Sequence, residues 1–279
     1  MTQVPWKVKS FIFYLIDFFD AQGVLYFLQK NITKRSSKKN VRISKNWINH
    51  EDILKKYNAN NYVFEFGAGK SLAQNLFLSK SIKKQLVVDL NQMLDIDLVN
   101  KTRSFLSNNY NLPSDTEIKS KDDLKKYGIE YIAPFDASET GLDDGTFDAC
   151  ISTDTLEHIP LKSLEKIFSE LYRVVKNDGI ISAIIDYTDH YAHTDKSLSQ
   201  LNFLKYSNEE WSRFNHDCHY QNRLRHFDYI EIFDSCGFEI VSQEIKYNEC
   251  NISEELAIKF HGVDSSWSAT SAHFVLRKK

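Results

Sequence analysis

The stretch that most restricts the fold is a short apolar run followed at once by two glycines. Residues 62–66 read Tyr-Val-Phe-Glu-Phe and predict a buried β-strand, and Gly67 and Gly69 come directly after it. A helix-like run over residues 72–78 follows. Glycines at a strand-to-helix turn allow main-chain angles that a Cβ forbids, and they let a ligand approach the main chain. The stretch therefore predicts an α/β fold that binds a ligand above its first strand.

A second apolar run ends in a carboxylate. Residues 86–88 are followed by Asp89, which stands 22 positions after Gly67. In nucleotide-binding α/β folds, an acid about 20 residues after the glycine turn lies at the tip of the second strand and accepts hydrogen bonds from ribose hydroxyls. A dinucleotide-binding turn would carry a third glycine where this chain has Leu72. The pattern therefore indicates a nucleoside ligand rather than a dinucleotide.

Strands and helices alternate along the rest of the chain. Residues 161–175 predict an amphipathic helix, because their apolar side chains recur at helical spacing. Residues 180–185 are apolar almost throughout, which is typical of a strand buried in a parallel sheet. Other strands are predicted over residues 129–133, 147–152, 238–241 and 272–276. We predict a doubly wound α/β sheet.

Composition places the chain among soluble globular proteins. Hydrophobic residues make up 42% of the sequence, charged residues 26%, and the net charge is −3. This charge gives no bias towards nucleic acid, and no basic patch with interleaved aromatics lies near the glycine turn, so no nucleic-acid partner is expected. The four cysteines form no C-x-x-C pair and no metal-ligand spacing, which predicts reduced thiols in a cytoplasmic protein.

The chain divides into two predicted parts. Residues 1–45 form an N-terminal helix and basic linker, and residues 46–279 form the main domain. Within that domain, the polar stretch 107–127 is predicted to be an insertion with little core of its own. Residues 187–236 are predicted to be a helical lid over the substrate.

The N-terminal helix is predicted over residues 7–30 and is amphipathic. Its apolar run, 11–16, is too short to span a bilayer and is interrupted by Asp17 and Asp20. Such a helix packs on the domain or on a second subunit, which would make a homodimer, or it lies on a membrane surface as a peripheral contact. The basic run 34–39 suits either anionic lipid or a solvated linker.

Several motifs together resemble those of class I S-adenosylmethionine-dependent methyltransferases. The glycine turn with Glu65 before its first glycine is similar to the first motif of that family. Other motifs of the family follow in order at residues 136–137, 144–148, 156–160 and 171–179. The resemblance implies S-adenosyl-L-methionine as the cofactor. It also implies a Rossmann-like, seven-stranded, mostly parallel sheet with an antiparallel last strand, N-terminal helices and a helical lid.

The resemblance also assigns residues to the cofactor. Glu65 is expected near the amino group of the methionine moiety, Asp89 at the ribose hydroxyls and Asp136 at the adenine amino group. The residues after the fourth strand are expected to border the methionine moiety. The expected cofactor-binding set is Glu65, Gly67, Ala68, Gly69, Asp89, Leu90, Asp136, Ala137, Thr153 and Asp154.

Two acids and two histidines follow the fifth strand, namely Asp186, Asp189, His190 and His193. A histidine beside an acid is a general base at neutral pH, and methyl transfer requires the acceptor to be aligned and deprotonated. We predict His190 as the base for a hydroxyl acceptor, with Asp186 or Asp189 orienting it and His193 as second candidate; these residues would otherwise only cap the strand. The same four side chains could ligate a cation, but they lack a firm ligand signature, so no metal is predicted.

Residues from the predicted lid are candidates for substrate binding. Arg223 and Arg225 point the same way if their segment is extended, which would grip a phosphate or carboxylate; otherwise they pair with Asp228 or Glu231. Two further substrate candidates are His158, which could instead cap a helix entry, and Tyr191.

The lid sequence resembles a bacterial methyltransferase subgroup associated with modification of surface polysaccharides and other glycans. We therefore predict O-methylation of a sugar, nucleotide-sugar or glycan precursor in polysaccharide biosynthesis. One alternative is a small-molecule or lipid/quinone methyltransferase, which the amphipathic N-terminus would favour and which would be membrane-associated. Another is a catalytically inactive cofactor-binding subunit of a partner protein.

Overall fold

The computed structural model describes residues 4–21, 42–110, 112, 117–247 and 265–279. Its centre is a seven-stranded sheet in the order β3-β2-β1-β4-β5-β7-β6. The strands are β1 (Tyr62–Phe66), β2 (Lys84–Val88), β3 (Ile129–Ile132), β4 (Phe147–Thr153), β5 (Val175–Asp186), β6 (Phe238–Tyr247) and β7 (Ala269–Lys278). Strands β1 to β5 are parallel, and β7 runs antiparallel to both β5 and β6. The predicted fold class is confirmed.

Helices cover both faces of the sheet. The α-helices are α1 (Trp6–Phe18), α2 (Lys45–Lys56), α3 (Ala73–Leu78), α4 (Ile96–Tyr110), α5 (Leu161–Val174), α6 (Asn208–Ser212) and α7 (His226–Ser235). Successive side chains of β1 point to opposite faces, so Val63 packs in the core under α2, α3 and α4, and Phe64 packs in the core under α5 and α7. Both side chains are fully buried, which contributes about 1.5–3 kcal/mol each. The two cores fix the strand tips, where ligands bind in such sheets.

Helix α1 packs on the predicted lid. Trp6, Phe13 and Ile16 are buried against a cluster of lid residues that includes Tyr191 and Trp211. The predicted N-terminal helix is therefore present, but it is described only over Trp6–Phe18; residues 22–30 and the basic run 34–39 lie outside the described residues. Within the ranges that the structure describes, no helix is both long enough and apolar enough to cross a membrane.

The predicted insertion over residues 107–127 is more closely packed than its polar composition suggests. Leu112, Ile118, Leu124 and Tyr127 are buried in the same core as α4. The expectation of little core is therefore wrong for this segment. A few apolar side chains, widely spaced among polar ones, are enough to anchor it to the sheet.

Candidate active site

The two glycines after β1 have different surroundings. Both have positive φ angles, +75° at Gly67 and +73° at Gly69, which favour glycine. A Cβ added at Gly67 would lie 2.3 Å from Cγ2 of Thr155, whereas a Cβ added at Gly69 would have no atom within 4 Å among the described residues beyond its chain neighbours. Gly67 thus allows the loop after β4 to pack against the turn. Gly69 leaves the main chain open to a ligand.

This difference can be measured with a matched pair of variants. Gly67→Ala and Gly69→Ala both place a side chain at positive φ, which costs about 1–2 kcal/mol. Only Gly67→Ala adds the clash with Thr155, so we expect it to be less stable by a further amount of about 1–3 kcal/mol. Urea unfolding of both variants measures the difference. Equal unfolding midpoints would contradict the packing, and Thr155→Ala should recover part of the loss in the Gly67→Ala background only.

The Asp89 carboxylate lies against the glycine turn. Its Oδ1 accepts a hydrogen bond from the backbone N–H of Gly69 at 3.3 Å, and its Oδ2 accepts one from the Tyr131 hydroxyl at 2.9 Å. Burial raises the pKa of Asp89, against the effect of these two donors. The structure therefore brings together the two parts of the predicted nucleoside site. Tyr131, which sequence reasoning missed, faces Asp89 because β2 and β3 are paired in parallel.

Glu65 is buried and faces α3 instead of an open pocket. Its carboxylate accepts hydrogen bonds from Gln74 Nε2 at 3.0 Å and Asn75 Nδ2 at 2.6 Å. Desolvation raises the pKa of Glu65 to about 7, in spite of these bonds, and the nearby charge of Asp89 adds to the rise. Glu65 is therefore next to the nucleoside site, but both of its oxygens are already bonded to protein groups.

Asp136 and Leu90 lie at the open side of the same edge. Asp136 is exposed, and its Oδ1 accepts a hydrogen bond from the backbone N–H of Ser138 at 2.8 Å, which holds its pKa below the usual range. Leu90 exposes 67% of its surface. Ala137, by contrast, is buried in the core. An exposed apolar side chain and an exposed carboxylate thus stand beside the strand tips that carry Asp89 and the glycine turn.

A chain of hydrogen bonds links Glu65 to the far side of the sheet. Gln74 donates to Glu65 and accepts from the Thr153 hydroxyl at 2.9 Å. The chain then passes through His50 and Ser182 to His273, with each step at 2.8 Å. Burial lowers the pKa of His50 to about 3, so this imidazole is neutral and can act as donor at one nitrogen and acceptor at the other. Thr153 is therefore part of this chain, and no local sequence pattern indicated its link to His50.

A polar cavity of about 560 Å³ opens at the ends of β4 and β5 and beside β7. Three of the predicted site residues, Asp154, Asp186 and His193, lie in its wall. The other polar residues of the wall are Asn46, Asn49, Thr188, Gln200, Glu244, Lys246, Thr270, Ser271 and His273. Desolvation and the charge of Asp186 raise the pKa of Asp154 to about 6. The cavity lies on the side of β4 away from β2, whereas the predicted nucleoside site lies at the tips of β1 and β2.

Asp186 and His193 form a pair in the cavity wall. Nε2 of His193 lies 3.4 Å from Oδ2 of Asp186 and 2.9 Å from the Thr188 hydroxyl, which itself donates to Oδ1 of Asp186 at 2.6 Å. Because the hydroxyl hydrogen points to Asp186, we assign the proton of His193 to Nε2 and the lone pair to Nδ1. Burial favours the neutral acid at Asp186, but the contacts with both histidines and Thr188 outweigh it and hold the pKa well below its usual range.

The predicted base, His190, does not lie in the cavity wall. Its side chain is 12% exposed and stacks on His193, with ring centroids 4.7 Å apart. Asp189 does not orient it either, because that buried carboxylate accepts hydrogen bonds from the backbone N–H of Tyr191 and from Asn202. Of the two candidate histidines, His193 lines the cavity and His190 does not. Sequence spacing placed both beside the strand end but could not give the direction of the turn that follows.

The guanidinium of Arg225 faces backbone carbonyls in the protein interior. The side chain is completely buried, and its three nitrogens donate to the backbone carbonyls of Trp267, Tyr187 and Ala269. Burial lowers its pKa to about 10, which still leaves it charged at neutral pH. Arg225 therefore makes neither the predicted contact with a phosphate or carboxylate nor the alternative salt bridge. Its hydrogen bonds connect the end of β5 to the start of β7.

Arg223 and Tyr191 also form hydrogen bonds within the predicted lid. Arg223 donates to the carbonyls of Phe203 and Tyr206 and to the side chain of Asn208. The Tyr191 hydroxyl donates to Phe214 O at 2.7 Å, and its ring is buried under α1. Both were predicted to contact substrate, and the structure instead shows them filling the interior of the lid. His158, the fourth substrate candidate, is exposed at the end of β4, with Nδ1 2.8 Å from Tyr220 O.

The sequence and fold match known proteins as follows. Residues 65–183, which are 119 of the 279 residues, match a family model described as a methyltransferase domain. A search of curated proteins finds no match. The fold is similar to a SAM-dependent methyltransferase from Methanosarcina mazei, with 13% identity, 81% of this chain and 96% of that chain covered, and a TM-score of 0.50.

Two other solved structures have a similar fold. One is 1,6-didemethyltoxoflavin-N1-methyltransferase from Burkholderia thailandensis with bound 1,6-didemethyltoxoflavin and S-adenosylhomocysteine. Its identity to this chain is 11%, the match covers 95% of this chain and 89% of that chain, and the TM-score is 0.51. The other is a S-adenosylmethionine-dependent methyltransferase from Clostridium acetobutylicum, with 14% identity, 92% and 98% coverage, and a TM-score of 0.50. At these identities the likeness concerns the fold.

Proposed function

We propose that this chain, whose residues 65–183 match a family model described as a methyltransferase domain, methylates a hydroxyl group of a neutral sugar or glycan precursor. The observation that carries the proposal is the polar cavity at the ends of β4 and β5, with the Asp186–His193 pair in its wall. This cavity adjoins the strand tips where the nucleoside part of a cofactor would bind. Donor and acceptor would thus meet at the carboxyl edge of one sheet.

The methyl donor is S-adenosyl-L-methionine, whose sulfonium supplies an electrophilic methyl group. The residues beside β1 and β2 fit its nucleoside: Gly69 leaves the main chain open, and Asp89 presents a carboxylate at the same point. Leu90 would supply apolar surface to the adenine, and Asp136 an acceptor for its amino group. Glu65 and Thr153 would act indirectly, because both side chains are bonded to Gln74.

The cofactor site is tested by replacing Asp89 with alanine. The carboxylate would accept charge-assisted hydrogen bonds from ribose, which are worth about 1.5–3 kcal/mol, so we expect affinity for S-adenosyl-L-methionine to fall at least tenfold. Calorimetric titration measures this directly. Asp122→Ala, which removes an exposed acid on another part of the surface, should bind as the unchanged protein does. Undiminished affinity in Asp89→Ala would contradict the ribose assignment.

The chemistry of the cavity wall favours a hydroxyl-rich acceptor. Most of its described residues offer hydrogen-bond donors or acceptors, whereas apolar surface comes chiefly from Ile184, Ala272 and Tyr247. A quinone or lipid would leave those polar groups without partners, which costs free energy. The wall also carries three carboxylates, on Asp154, Asp186 and Glu244, against one lysine. That balance favours a neutral sugar over a nucleotide-sugar, whose phosphates would meet like charges.

The Asp186–His193 pair provides the proton acceptor. With Nε2 of His193 turned to Asp186 and Thr188, Nδ1 is available to take the proton of an acceptor hydroxyl. As that O–H bond breaks, the oxygen forms its bond to the methyl carbon and the carbon–sulfur bond breaks. Asp186 stabilises the resulting imidazolium. The products are a methyl ether, S-adenosylhomocysteine and a proton that leaves through the open cavity.

The function is tested by methyl transfer to defined acceptors. Isotopically labelled S-adenosyl-L-methionine is incubated with the protein and with neutral glycosides, nucleotide-sugars and quinones in parallel, and products are identified by mass spectrometry and NMR. We expect a methyl ether on a neutral glycoside. A methylated quinone or nucleotide-sugar would contradict the proposed acceptor class. Cofactor binding without turnover on any acceptor, including a cell extract, would favour an inactive partner subunit.

A further inference from the structure

Behind the cavity wall lies a buried carboxylate without a hydrogen bond. Glu157, in the short turn after β4, exposes 2% of its surface, and neither of its carboxylate oxygens has a hydrogen-bond partner among the described residues. The backbone N–H groups of Glu157 and Asp186 lie near it but outside hydrogen-bonding geometry. A buried carboxylate that lacks partners is costly unless a proton or a cation neutralises it. Burial of this side chain therefore requires a proton or a cation beside it.

Two imidazoles face the same point. One ligand atom each from Glu157, His158 and His190 lie within 4.8 Å of one another. Nδ1 of His158 lies 2.8 Å from Tyr220 O, so it carries the proton and Nε2 keeps the lone pair. A backbone carbonyl at the second ring nitrogen is the usual arrangement for a metal-ligating histidine. Nε2 of His190 is buried and makes no hydrogen bond within the described chain.

We propose that Glu157, His158 and His190 bind one divalent transition-metal ion. Two imidazoles and one carboxylate suit Zn²⁺ or Fe²⁺, and three protein ligands leave at least one position open. Bonds of about 2.0–2.2 Å would draw the three side chains slightly closer together than they stand here. Oδ2 of Asp186, which lies 3.6 Å from Nε2 of His190, adds negative charge beside the site. The ion enters from the His158 side, where the imidazole is exposed.

The ion would join two loops that build the candidate active site. Glu157 and His158 follow Asp154 in the turn after β4, and His190 lies between Asp186 and His193 in the loop after β5. Holding these loops together would fix the spacing of the carboxylates and the imidazole in the cavity wall. The sequence did not indicate the site, because its ligands come from two segments about 30 residues apart and share no local signature. The inference does not depend on the proposed methyl transfer.

Metal titration of the full chain, with any affinity tag removed and adventitious metal stripped by chelation, tests the site. We expect one equivalent of Zn²⁺ by elemental analysis after desalting, and visible absorption on loading with Co²⁺. Glu157→Gln and His158→Ala should each lower the affinity at least 100-fold, while His216→Gln, which changes a histidine elsewhere, should bind normally. Circular dichroism establishes that each variant is folded. Because neither S-adenosyl-L-methionine nor acceptor is present, the outcome is separate from that of the transfer assay.

Two results would overturn the site. In the first, the unchanged protein binds no more Zn²⁺ or Co²⁺ than Glu157→Gln does. In the second, Zn²⁺ raises the melting temperature equally in both proteins, so that the ion acts elsewhere. In either case, equal melting temperatures of Glu157→Gln and the metal-stripped protein would indicate that Glu157 is a neutral acid and that the cluster holds no cation.

Discussion

Replacing Arg225 by methionine is expected to lower the free energy of unfolding by at least about 3 kcal/mol, because it leaves buried backbone carbonyls without donors at about 1–3 kcal/mol each. The guanidinium donates to carbonyls of Trp267, Tyr187 and Ala269, and no part of the side chain is exposed. Methionine fills much of the same space, so the loss measures the hydrogen bonds more than a cavity. Urea unfolding followed by circular dichroism gives the value.

Loss of the Arg225 hydrogen bonds is also expected to disturb the candidate active site. Arg225 connects the residue after β5 to the start of β7, and both strands supply the cavity wall. Arg225→Lys retains the charge but cannot donate to all three carbonyls in the geometry of a guanidinium. Its stability should therefore lie between that of Arg225→Met and that of the unchanged protein. Arg213→Met, at an exposed position, should change stability by less than about 0.5 kcal/mol. If Arg225→Met unfolded at the same urea concentration as Arg213→Met, the claim that the buried hydrogen bonds of Arg225 stabilise the fold would be wrong.

The misassignment of Arg225 shows where sequence reasoning stops. The positions of the strands and the glycine turn along the chain follow from apolar runs and their spacing, because burial in a parallel sheet requires such runs. A pair of arginines in an extended segment, however, has the same sequence pattern whether the guanidinium groups bind a ligand or donate to backbone carbonyls. That choice depends on which strand ends lie beside it. Here β7 pairs between β5 and β6, and its first residues come to lie over Arg225.

The cavity shows the same limit. Asp154 and Asp186 could be placed at strand tips from sequence, since parallel strands end at one edge of the sheet. Lys246 and His273 could not, because they reach the wall only through the antiparallel pairing of β6 and β7. The direction of the short loop after β5 could not be predicted from the sequence either, and this direction decides which histidine faces the cavity. Local pattern thus gave the positions of candidate groups, while long-range pairing and loop direction decided their roles.

Replacing His193 by alanine is expected to lower kcat by about 100-fold or more, the usual contribution of a general base. Its Nε2 is engaged by Asp186 and Thr188, and the imidazole is 47% exposed in the wall of the cavity, so Nδ1 is the atom available to an acceptor hydroxyl. The Kd for S-adenosyl-L-methionine should be unchanged, because the nucleoside site lies at the other strand tips. Single-turnover rates with labelled cofactor, together with calorimetric titration, separate the two quantities.

The same measurement discriminates between the two histidines beside Asp186, which are His190 and His193. If His193 takes the proton, His193→Ala loses turnover while the protein still binds Zn²⁺ at Glu157, His158 and His190. His190→Ala should lose Zn²⁺ binding, because its imidazole is one of the three proposed ligands. That imidazole stands behind the wall and does not face the cavity. His216→Gln, whose imidazole bonds to Ser10 away from the cavity, should retain both properties. Full turnover in His193→Ala would remove it from the mechanism and return the role of base to another group in the wall, such as Asp154, whose carboxylate lines the same cavity.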